Sequence, residues 1–351
     1  DRSKLRPHVR YCSWNIEWMD YFYADDNTFH ITNPKNSIKD VHKICANIGS
    51  AILEMDPDVL TILEGPGSLT RMELFNTKYL NGSFDCFGGI DGGSQRIYIL
   101  VKKGSPVKNP KIYDNGNNFL AKSWYFDVNG DLDLKEYNFI RRPVILKAEI
   151  EIDHEFQPIY FVGVHSKSKY INRGEKMWNG TPEEKKEYIK KSISNRRKIG
   201  AECGRIRKCL EETAYRESPK PLVVVSGDMN DGPGLDFFEE YYLLFDSVDV
   251  LMGNSFHREA MLFPLLNQNF FVSPQDQYSC VFNDYVDDIP GKKVMLDHIF
   301  VSESLQKVTI QATFAHELWD RYAAREDGYS PRDEYLSDHR PAFVDLCIDL
   351  L

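Results

Sequence analysis

Several features that define whole classes of proteins are missing from this sequence. No apolar stretch approaches the about 20 residues of a membrane-spanning helix, so the chain predicts no membrane span. The seven cysteines are an odd number without close paired spacing, and they show no zinc-binding pattern. Their usage favours a reducing compartment, and the prediction is a cytoplasmic protein; removal of an upstream signal segment is the alternative.

Net positive charge is also missing, which argues against indiscriminate binding to polyanions. The formal charge is −10, but it is unevenly distributed. Residues 167–208 contain 14 Lys and Arg against five Glu, an excess of nine positive charges. The composition of this segment supports two interpretations equally. It forms either a surface that follows a phosphate backbone or the solvated face of a long amphipathic helix. In the first interpretation the phosphate contacts include Lys167, Lys169, Arg173, Arg196 and Arg197.

Repeats, low-complexity tracts and linkers are absent too, and 42% hydrophobic residues in a 351-residue chain allow a large core. Apolar and polar residues alternate as in strands, and between the strands they recur at helical spacing. Ser37 is predicted to cap a helix, Ser68 a second helix to about residue 79, and Thr181 a third to about residue 212. Strands are predicted at 9–16, 59–63, 97–101, 143–152, 159–164, 223–225, 278–282, 294–301, 308–314 and 342–348, with an irregular region at 233–275.

Short polar motifs stand where apolar runs end, and they are spread along the whole chain. Each supplies a carboxylate, a carboxamide or an imidazole, and six such ends can meet at one edge of a sheet. Carboxylates with two histidines suit a hard divalent cation and an anionic ester. Because this site needs both ends of the chain, a single domain over residues 1–351 is predicted. The motifs are Trp14-Asn15-Ile16-Glu17, Leu63-Glu64, Val164-His165-Ser166, Ser226-Gly227-Asp228-Met229-Asn230, Leu296-Asp297-His298-Ile299 and Ser337-Asp338-His339-Arg340-Pro341.

In this order and spacing the motifs resemble the endonuclease/exonuclease/phosphatase superfamily, which includes DNase I. The resemblance extends from Trp14 to Asp345. It implies an α/β fold: a four-layer α/β/β/α sandwich of two mixed, mainly antiparallel sheets flanked by helices. Departures from several branches of the family, such as Asp231-Gly-Pro-Gly after the Gly-Asp-x-Asn turn, indicate an outlying branch of bacterial type.

The resemblance also implies a metal site. Glu64 corresponds to the main ligand of Mg²⁺, with Mn²⁺ as the alternative cation. Asn15 and Glu17 are expected on the same side of a strand, where Asn15 helps to hold the site and Glu17 is an outer ligand. Asp338 is implied to bind the metal through water.

The catalytic roles are likewise implied by the resemblance. Asp228 orients or deprotonates the attacking water, and Asn230 binds a phosphate oxygen. Asp297 hydrogen-bonds His339, which contacts the phosphate as an acid or as a charged stabiliser. His298 is expected to be structural, because adjacent strand residues point to opposite faces.

A second histidine narrows the choice of relatives. His165 with Ser166 resembles the DNase I version of its motif, whereas abasic-site endonucleases carry a tyrosine-containing stretch there. Arg142 before Pro143 resembles a family motif, either Arg-x-Pro or Arg-Pro, and two interpretations are open: a phosphate contact or a strand-edge cation. With Lys167 and Lys169 it completes the expected phosphate-binding set.

The function expected from these residues is metal-assisted hydrolysis of nucleic acid by in-line attack of water, with DNA favoured over RNA as the partner. An alternative is a phosphatase or phospholipase C-type hydrolase of a small phosphate ester or a sphingomyelin-like lipid, which fits the acidic net charge. A third is an inactive binding member of the family. No protein partner can be inferred.

Overall fold

The computed structural model describes residues 8–90, 93–128, 130–243, 245–266, 277–323 and 336–351, with side chains omitted at 36–39. In chain order the strands are β1 (His8–Asn15), β2 (Thr32–Asn33), β3 (Asn36–Asp40), β4 (Val59–Gly65), β5 (Phe84–Gly88), β6 (Arg96–Lys102), β7 (Lys108–Ile112), β8 (Trp124–Phe126), β9 (Lys135–Tyr137), β10 (Val144–Ile152), β11 (Glu155–His165), β12 (Leu222–Asp228), β13 (Leu262–Pro264), β14 (Cys280–Asp284), β15 (Ile289–Val294), β16 (Asp297–Ser302), β17 (Thr309–Phe314) and β18 (Ala342–Cys347).

Helices of very different length connect these strands. The α-helices are α1 (Val41–Met55), α2 (Leu69–Tyr79), α3 (Asp114–Leu120), α4 (Gly174–Trp178), α5 (Pro182–Glu212), α6 (Ala214–Glu217), α7 (Phe237–Tyr242), α8 (Asp249–Met252), α9 (Glu303–Lys307) and α10 (His316–Ala323), and 3-10 turns lie at Met19–Phe22, Arg258–Ala260 and Ile348–Leu350. Among the described residues, no helix combines the length and the apolar character needed to cross a membrane.

Two six-stranded sheets form the centre of the structure. The first has the order β17-β18-β1-β4-β6-β5, and the second has the order β13-β16-β12-β11-β10-β7. One neighbouring pair in each sheet is parallel, β1 with β4 and β11 with β12, and the other pairs are antiparallel. The prediction of two mixed, mainly antiparallel sheets is confirmed.

The two sheets pack face to face, and helices cover their outer faces. Val59 and Leu63 of β4 belong to a cluster shared with the second sheet, whereas Leu60 of the same strand packs with α1 and α2. In β12, Val224 faces the first sheet and its neighbours face α5. Alternate residues of a strand point to opposite sides, so a strand buried on both faces is a continuous apolar run. This explains the motif-terminated apolar runs of the sequence.

The helix caps behave as predicted in two of three cases. The Thr181 side chain accepts the backbone N–H of Glu184, and the Glu184 side chain accepts the backbone N–H of Thr181. This capping box starts α5, which ends at Glu212 as expected. Ser68 caps α2 by accepting the N–H of Arg71.

The predicted Ser37 cap is wrong. Residues 36–40 form β3, which pairs with β2, and α1 begins only at Val41. Its cap is Asp40, whose carboxylate accepts the N–H of Lys43. Helical spacing continued by chance into β3, because an apolar residue at position 38 matches the period of α1.

The predicted strand 294–301 is also two strands. β15 ends at Val294 in a hairpin with β14, and β16 begins at Asp297 beside β12. Where 233–275 is described, the irregular region contains α7, α8, a 3-10 turn and β13; residues 267–276 lie outside the described residues.

Candidate active site

The predicted site residues meet at one edge of the two sheets. In the second sheet, His165 ends β11 and Asp297 begins β16, and both are paired with Asp228 at the end of β12. In the first sheet, Asn15 ends β1 next to β4, whose last residues include Glu64. The parallel pairs bring strand ends to the same edge, and the antiparallel β16 starts there.

Hydrogen bonds connect the two sheets to each other, and they also connect the loop before β18 to the end of β1. The hydroxyl of Tyr11 lies 2.5 Å from the hydroxyls of Thr61 and Ser226, so it connects β4 to β12 through the core. The Ser337 hydroxyl donates to the carbonyl of Asn15 at 2.5 Å and accepts the His339 N–H at 3.1 Å. The loop before β18 is thereby held on the end of β1.

The side-chain amide of Asn15 lies between the acidic groups. Its Nδ2 donates to Asp228 at 3.1 Å and to Glu64 at 3.4 Å, and its Oδ1 accepts the Glu17 N–H at 3.0 Å. Both ends of the amide are therefore engaged in orienting neighbours. A direct bond from Asn15 to a metal stays a prediction.

Glu64 is an acidic group that is partly exposed at this edge. Its Oε2 accepts the backbone N–H of Trp18 at 2.9 Å, and its Oε1 lies 3.8 Å from Nε2 of His165. The side chain is 12% exposed, enough to leave it accessible to a ligand. Its backbone is left-handed, a conformation that is uncommon for residues other than glycine.

Glu17 does not share a strand with Asn15, and that expectation is wrong. β1 ends at Asn15, and the backbone of Glu17 turns into the left-handed region with φ 52°. The side chain is half-buried just beyond the strand end. Its role as an outer metal ligand stays a prediction.

His165 is buried among acidic and basic groups. Its Nε2 lies 3.5 Å from Oδ2 of Asp228 and its Nδ1 has no hydrogen-bond partner within the described part of the chain. Burial, and then the charges of Arg141 and His339, hold the pKa of His165 well below its usual value. His165 is therefore a neutral imidazole near pH 7.

His339 has the opposite charge state. Its Nδ1 lies 2.6 Å from Oδ2 of Asp297, and its Nε2 lies 3.9 Å from Asp228. Burial opposes the charged ring, but the charge and hydrogen bond of Asp297 outweigh it and raise the pKa of His339 well above its usual value. The site thus contains one neutral and one charged imidazole.

Asp228 is the carboxylate that lies near both histidines, with its Oδ2 3.5 Å from Nε2 of His165 and 3.9 Å from Nε2 of His339. Burial, followed by the negative charge of Asp297, raises the pKa of Asp228 to about 7. Asn230 donates its backbone N–H to Asp228 at 2.8 Å and its side-chain amide to the Ser166 carbonyl at 3.2 Å. The contact of Asn230 with phosphate stays a prediction.

Asp338 lies at the rim of the group. Its side chain is 47% exposed, yet its Oδ1 is buried without a hydrogen-bond partner among the described residues and lies 3.9 Å from Nε2 of His339. An anionic oxygen in this position is suited to a cation. Glu64, Glu17 and Asp338 offer oxygen donors, the type that Mg²⁺ prefers, and their joint binding of a cation stays a prediction.

A functional arginine was missed from the sequence. Arg141 donates from Nη2 to the Ser166 carbonyl at 2.5 Å and from Nη1 to Gln95 at 3.0 Å, and its charge acts on His165 and Asp228. The Arg-x-Pro form of the family motif, which ends at Pro143, would have identified it. Arg142 is half-buried at the next position, and its predicted phosphate contact stays a prediction.

The two predicted lysines differ in placement. The backbone N–H of Lys167 donates to the buried carboxylate of Glu202 at 2.8 Å, and its Nζ donates to the Ser168 carbonyl at 2.8 Å. Burial and the nearby charges of Arg141 and Lys198 lower the pKa of Lys167. Lys167 remains half-buried beside the site.

Lys169 is paired with carboxylates. Its Nζ forms ion pairs with Asp231, Asp236 and Glu239, three carboxylates whose oxygens lie within 4.8 Å of one another. The lysine ammonium supplies the cation of this group, so its predicted phosphate contact does not fit the placement. Arg196 is similarly paired with Asp236.

Two further predictions concern His298, which follows Asp297 in β16, and the basic residues of α5. His298 Nε2 lies 2.8 Å from the Asp231 carbonyl, consistent with its expected structural role. Lys190 and Arg197 of α5 face a cavity of about 260 Å³ between that helix and the β8–β9 hairpin, which also contributes Phe126 and Tyr137.

Comparisons of sequence identify no relative: no family model matches the chain, and no curated protein matches it. Solved structures do match. An endonuclease/exonuclease/phosphatase from Bacteroides vulgatus has 12% identity and a TM-score of 0.52, covering 97% of this chain and 99% of that chain. An AP endonuclease from Archaeoglobus fulgidus has 12% identity and a TM-score of 0.51, covering 96% and 98%.

A family protein from Bacteroides thetaiotaomicron is similar in the same way, with 13% identity, a TM-score of 0.50 and coverage of 97% of both chains. Identities this low establish the fold alone. The resemblance predicted from the motifs is confirmed at that level: the chain has the fold of the endonuclease/exonuclease/phosphatase superfamily.

Proposed function

We propose that this protein is a divalent-metal-dependent phosphodiesterase that hydrolyses nucleic acid, with DNA favoured over RNA. The observation that carries the proposal is the meeting of Asp228, a neutral His165 and a charged His339 beside the accessible carboxylate of Glu64. A base, a cation and a metal-binding carboxylate at one edge suit attack of water on a phosphate diester.

The metal site consists of carboxylates. Glu64 would hold Mg²⁺, with Mn²⁺ as the alternative, and Glu17 and Asp338 would support it directly or through water. When bound, the cation polarises a phosphoryl oxygen and neutralises part of its charge. The amide of Asn15 keeps Glu64 and Asp228 in fixed positions.

Asp228 acts on the nucleophile. A general base works best when its pKa is close to the operating pH, and the pKa of Asp228 is about 7. Asp228 takes the proton from water, the water oxygen forms a bond to phosphorus, and the bond from phosphorus to the leaving oxygen breaks on the opposite side.

The remaining polar groups stabilise the charge that develops on the phosphate. His339 is kept protonated by Asp297 and offers a charged N–H, and Arg141 supplies a second positive charge. Asn230 and the neutral His165 contribute further polar contacts. The leaving oxygen takes up a proton from His339 or from solvent.

One observation favours the second candidate, a small phosphate ester or a phospholipid headgroup. Lys169 and Arg196 are engaged with carboxylates, so the basic segment offers less free positive charge than its composition suggests. The net charge of −10 also disfavours binding of a long polyanion, because like charges repel each other.

The deciding experiment is nicking of supercoiled plasmid with Mg²⁺ and with EDTA. Wild-type protein is expected to nick in Mg²⁺ and not in EDTA, and His339→Ala is expected to lose about 100-fold or more, the usual range for an acid or base group. His154→Ala is the matched control, because that side chain is 99% exposed at the β10–β11 turn. Asp297→Asn should fall between the two.

A different result would redirect the assignment. If folded protein that binds metal in calorimetry leaves the plasmid intact but hydrolyses a soluble phosphomonoester or sphingomyelin, the second candidate replaces the nuclease. If it binds no metal, the inactive binding member becomes the better description.

A further inference from the structure

Two successive residues after β1 have left-handed backbones. Glu17 has φ 52°, and Trp18 has φ 53° and ψ 43°. This conformation is strained for a residue with a side chain, whereas glycine adopts it without strain. A bulky tryptophan at such a position indicates that the side chain has a use which offsets the strain.

Trp18 stands directly beside the proposed metal site. Its backbone N–H donates to Oε2 of Glu64 at 2.9 Å, and it follows Glu17 in the chain. Its side chain is 40% exposed. By contrast Trp14, four residues earlier, is fully buried and donates its indole N–H to the His339 carbonyl, so it is part of the core.

The exposed indole belongs to a small aromatic surface. Trp18 stacks on Tyr21 with ring centroids 5.2 Å apart and planes 9° apart. Nζ of Lys35 lies 5.2 Å from the Tyr21 ring on the same surface. Stacked rings backed by a cation are the features with which proteins bind the bases of a single strand, because every base has a π face and every nucleotide has a phosphate.

We propose that Trp18 is a stacking platform for an unpaired base next to the scissile phosphate. The proposal rests on the proposed function and narrows its substrate to a single strand, a strand end or a splayed base. Inside a duplex, both faces of a base are covered by its neighbours, so only an unstacked base can use the indole.

The test uses single-stranded DNA oligonucleotides that are identical except for one abasic residue at a position flanking the cleaved phosphate, with each flanking position examined in turn. Wild type should cleave the intact oligonucleotide about 10-fold or more faster in kcat/KM than the abasic one at the stacking position, since a base stacked on an aromatic ring is worth about 1–3 kcal/mol. Duplex DNA of the same sequence should be a poorer substrate.

Two variants complete the cycle. Trp18→Gly removes the ring and relieves the strained backbone, so it should be at least as stable as wild type while losing a similar factor on the intact oligonucleotide. Its loss and the abasic loss should not add, because both remove the same contact. Trp18→Phe keeps a ring and should recover part of the activity.

The failures are distinguishable. If wild type cleaves oligonucleotides but does not discriminate the abasic residue at either position, or if Trp18→Gly and the abasic residue act additively, the platform is refuted and the nuclease stands. If wild type hydrolyses methyl p-nitrophenyl phosphate but no oligonucleotide, the nuclease assignment fails and the platform with it. The wild-type comparison needs no variant, so it decides the matter even if Trp18→Gly does not fold.

Discussion

Glu202 is a buried carboxylate in the middle of α5, 2% exposed, that supports the loop following His165. It accepts the backbone N–H of Lys167 at 2.8 Å. Burial raises its pKa from 4.5 to about 7, although neighbouring positive charges act in the opposite direction. The folded protein therefore binds a proton here more tightly than the unfolded chain does.

Replacing Glu202 with Gln should make stability less dependent on pH. In wild type, the contribution of this group is fully present below about pH 4.5 and is lost as pH rises through about 7, by at most about 3 kcal/mol. Gln retains an acceptor for Lys167 and carries no charge. Urea unfolding should show similar stability for both proteins near pH 4.5 and a more stable variant at pH 8.

The control for this prediction is Glu187→Gln on the same helix, whose side chain is 52% exposed and should respond little at either pH. Equal stability of Glu202→Gln and wild type at pH 8 would show that Glu202 is already neutral or compensated in the folded protein.

At this scale the sequence predicted the residue types and the contact between Asp297 and His339, but it did not predict the contacts of Arg141 and Lys169. The charged and amide residues of the motifs do meet, because each stands at the end of a buried strand. Arg141, whose side chain contacts Ser166, was missed because the motif was matched in its Arg-Pro form at Arg142 and not in its Arg-x-Pro form. Lys169 was misjudged because its partners Asp231 and Asp236 lie more than 60 positions away along the chain.

Lys169 links three elements at once. It leaves the segment after β11 and contacts Asp231 after β12, and it also contacts Asp236 and Glu239, the N-cap and third residue of α7. Burial opposes ionisation of Asp236, but Lys169 and Arg196 lower its pKa well below the usual value. Burial raises the pKa of Glu239 to about 8. The ammonium group makes this cluster possible.

Replacing Lys169 with Met should therefore destabilise the protein by about 3–5 kcal/mol, because it removes the cation paired with the buried Asp231 and leaves Asp236 and Glu239 with Arg196 alone. The loss should shrink as pH falls and Glu239 takes up a proton. Thermal or urea unfolding at pH 8.5 and pH 6.5 measures both effects.

Lys191→Met is the matched control, since Lys191 is 50% exposed in an i,i+4 pair with Glu187 and should cost less than 1 kcal/mol. A loss for Lys169→Met no larger than this control would show that water or ions replace the ammonium at little cost.

Secondary structure was predictable where the local chemistry is decisive. The capping box at Thr181 with Pro182 requires no tertiary information, and α5 begins there. The Ser37 cap failed because β3 pairs with β2 ahead of α1, and a two-residue partner strand leaves almost no pattern. The boundary between β15 and β16 was missed because apolar residues continue through it.

A cavity between α5 and the β8–β9 hairpin is lined by more basic than acidic residues. Lys135, Lys190 and Arg197 line the space between the β8–β9 hairpin and α5, with Asp133 as the acidic residue of that lining. Along α5, Arg197 precedes Glu202, which binds the loop after His165, by five residues, or about 7.5 Å of helix axis. On the proposed function, a nucleic acid strand that follows this part of α5 would meet the positive charge of the cavity.

The salt dependence of DNA binding should show whether the residues that line this cavity contact the nucleic acid. Each phosphate neutralised on single-stranded DNA contributes about 0.7 to the slope of log K against log salt. Replacing Arg197 with Ala should reduce the slope by about that amount in fluorescence anisotropy at 50–200 mM salt.

Lys220→Ala is the control, because Lys220 is exposed before the opposite end of β12 and should leave the slope unchanged. Equal slopes for wild type and Arg197→Ala would remove the cavity from the path of the nucleic acid.

The layered fold was the most predictable feature at this scale. Strands buried on both faces have to be apolar throughout, helices on the outside have to be amphipathic, and polar residues interrupt the apolar runs where the strands reach solvent. Because Glu64, Asp228 and His339 stand at such ends, the sequence predicts that these ends of the strands meet at one edge of the sheets. The loops contain no such constraint, and 324–335, just before Asp338, lie outside the described residues.

The position of β1 has a consequence for how the protein is made. It lies between β4, which follows it closely in the chain, and β18, which begins at Ala342. Synthesis adds about 5–20 residues per second, so β18, the second neighbour of β1, is made tens of seconds after β1. Throughout that time one side of β1 is an open edge that a chaperone or another nascent chain can pair with. His339 comes with the same late segment, so the growing polypeptide has no complete active site until its sheet is closed.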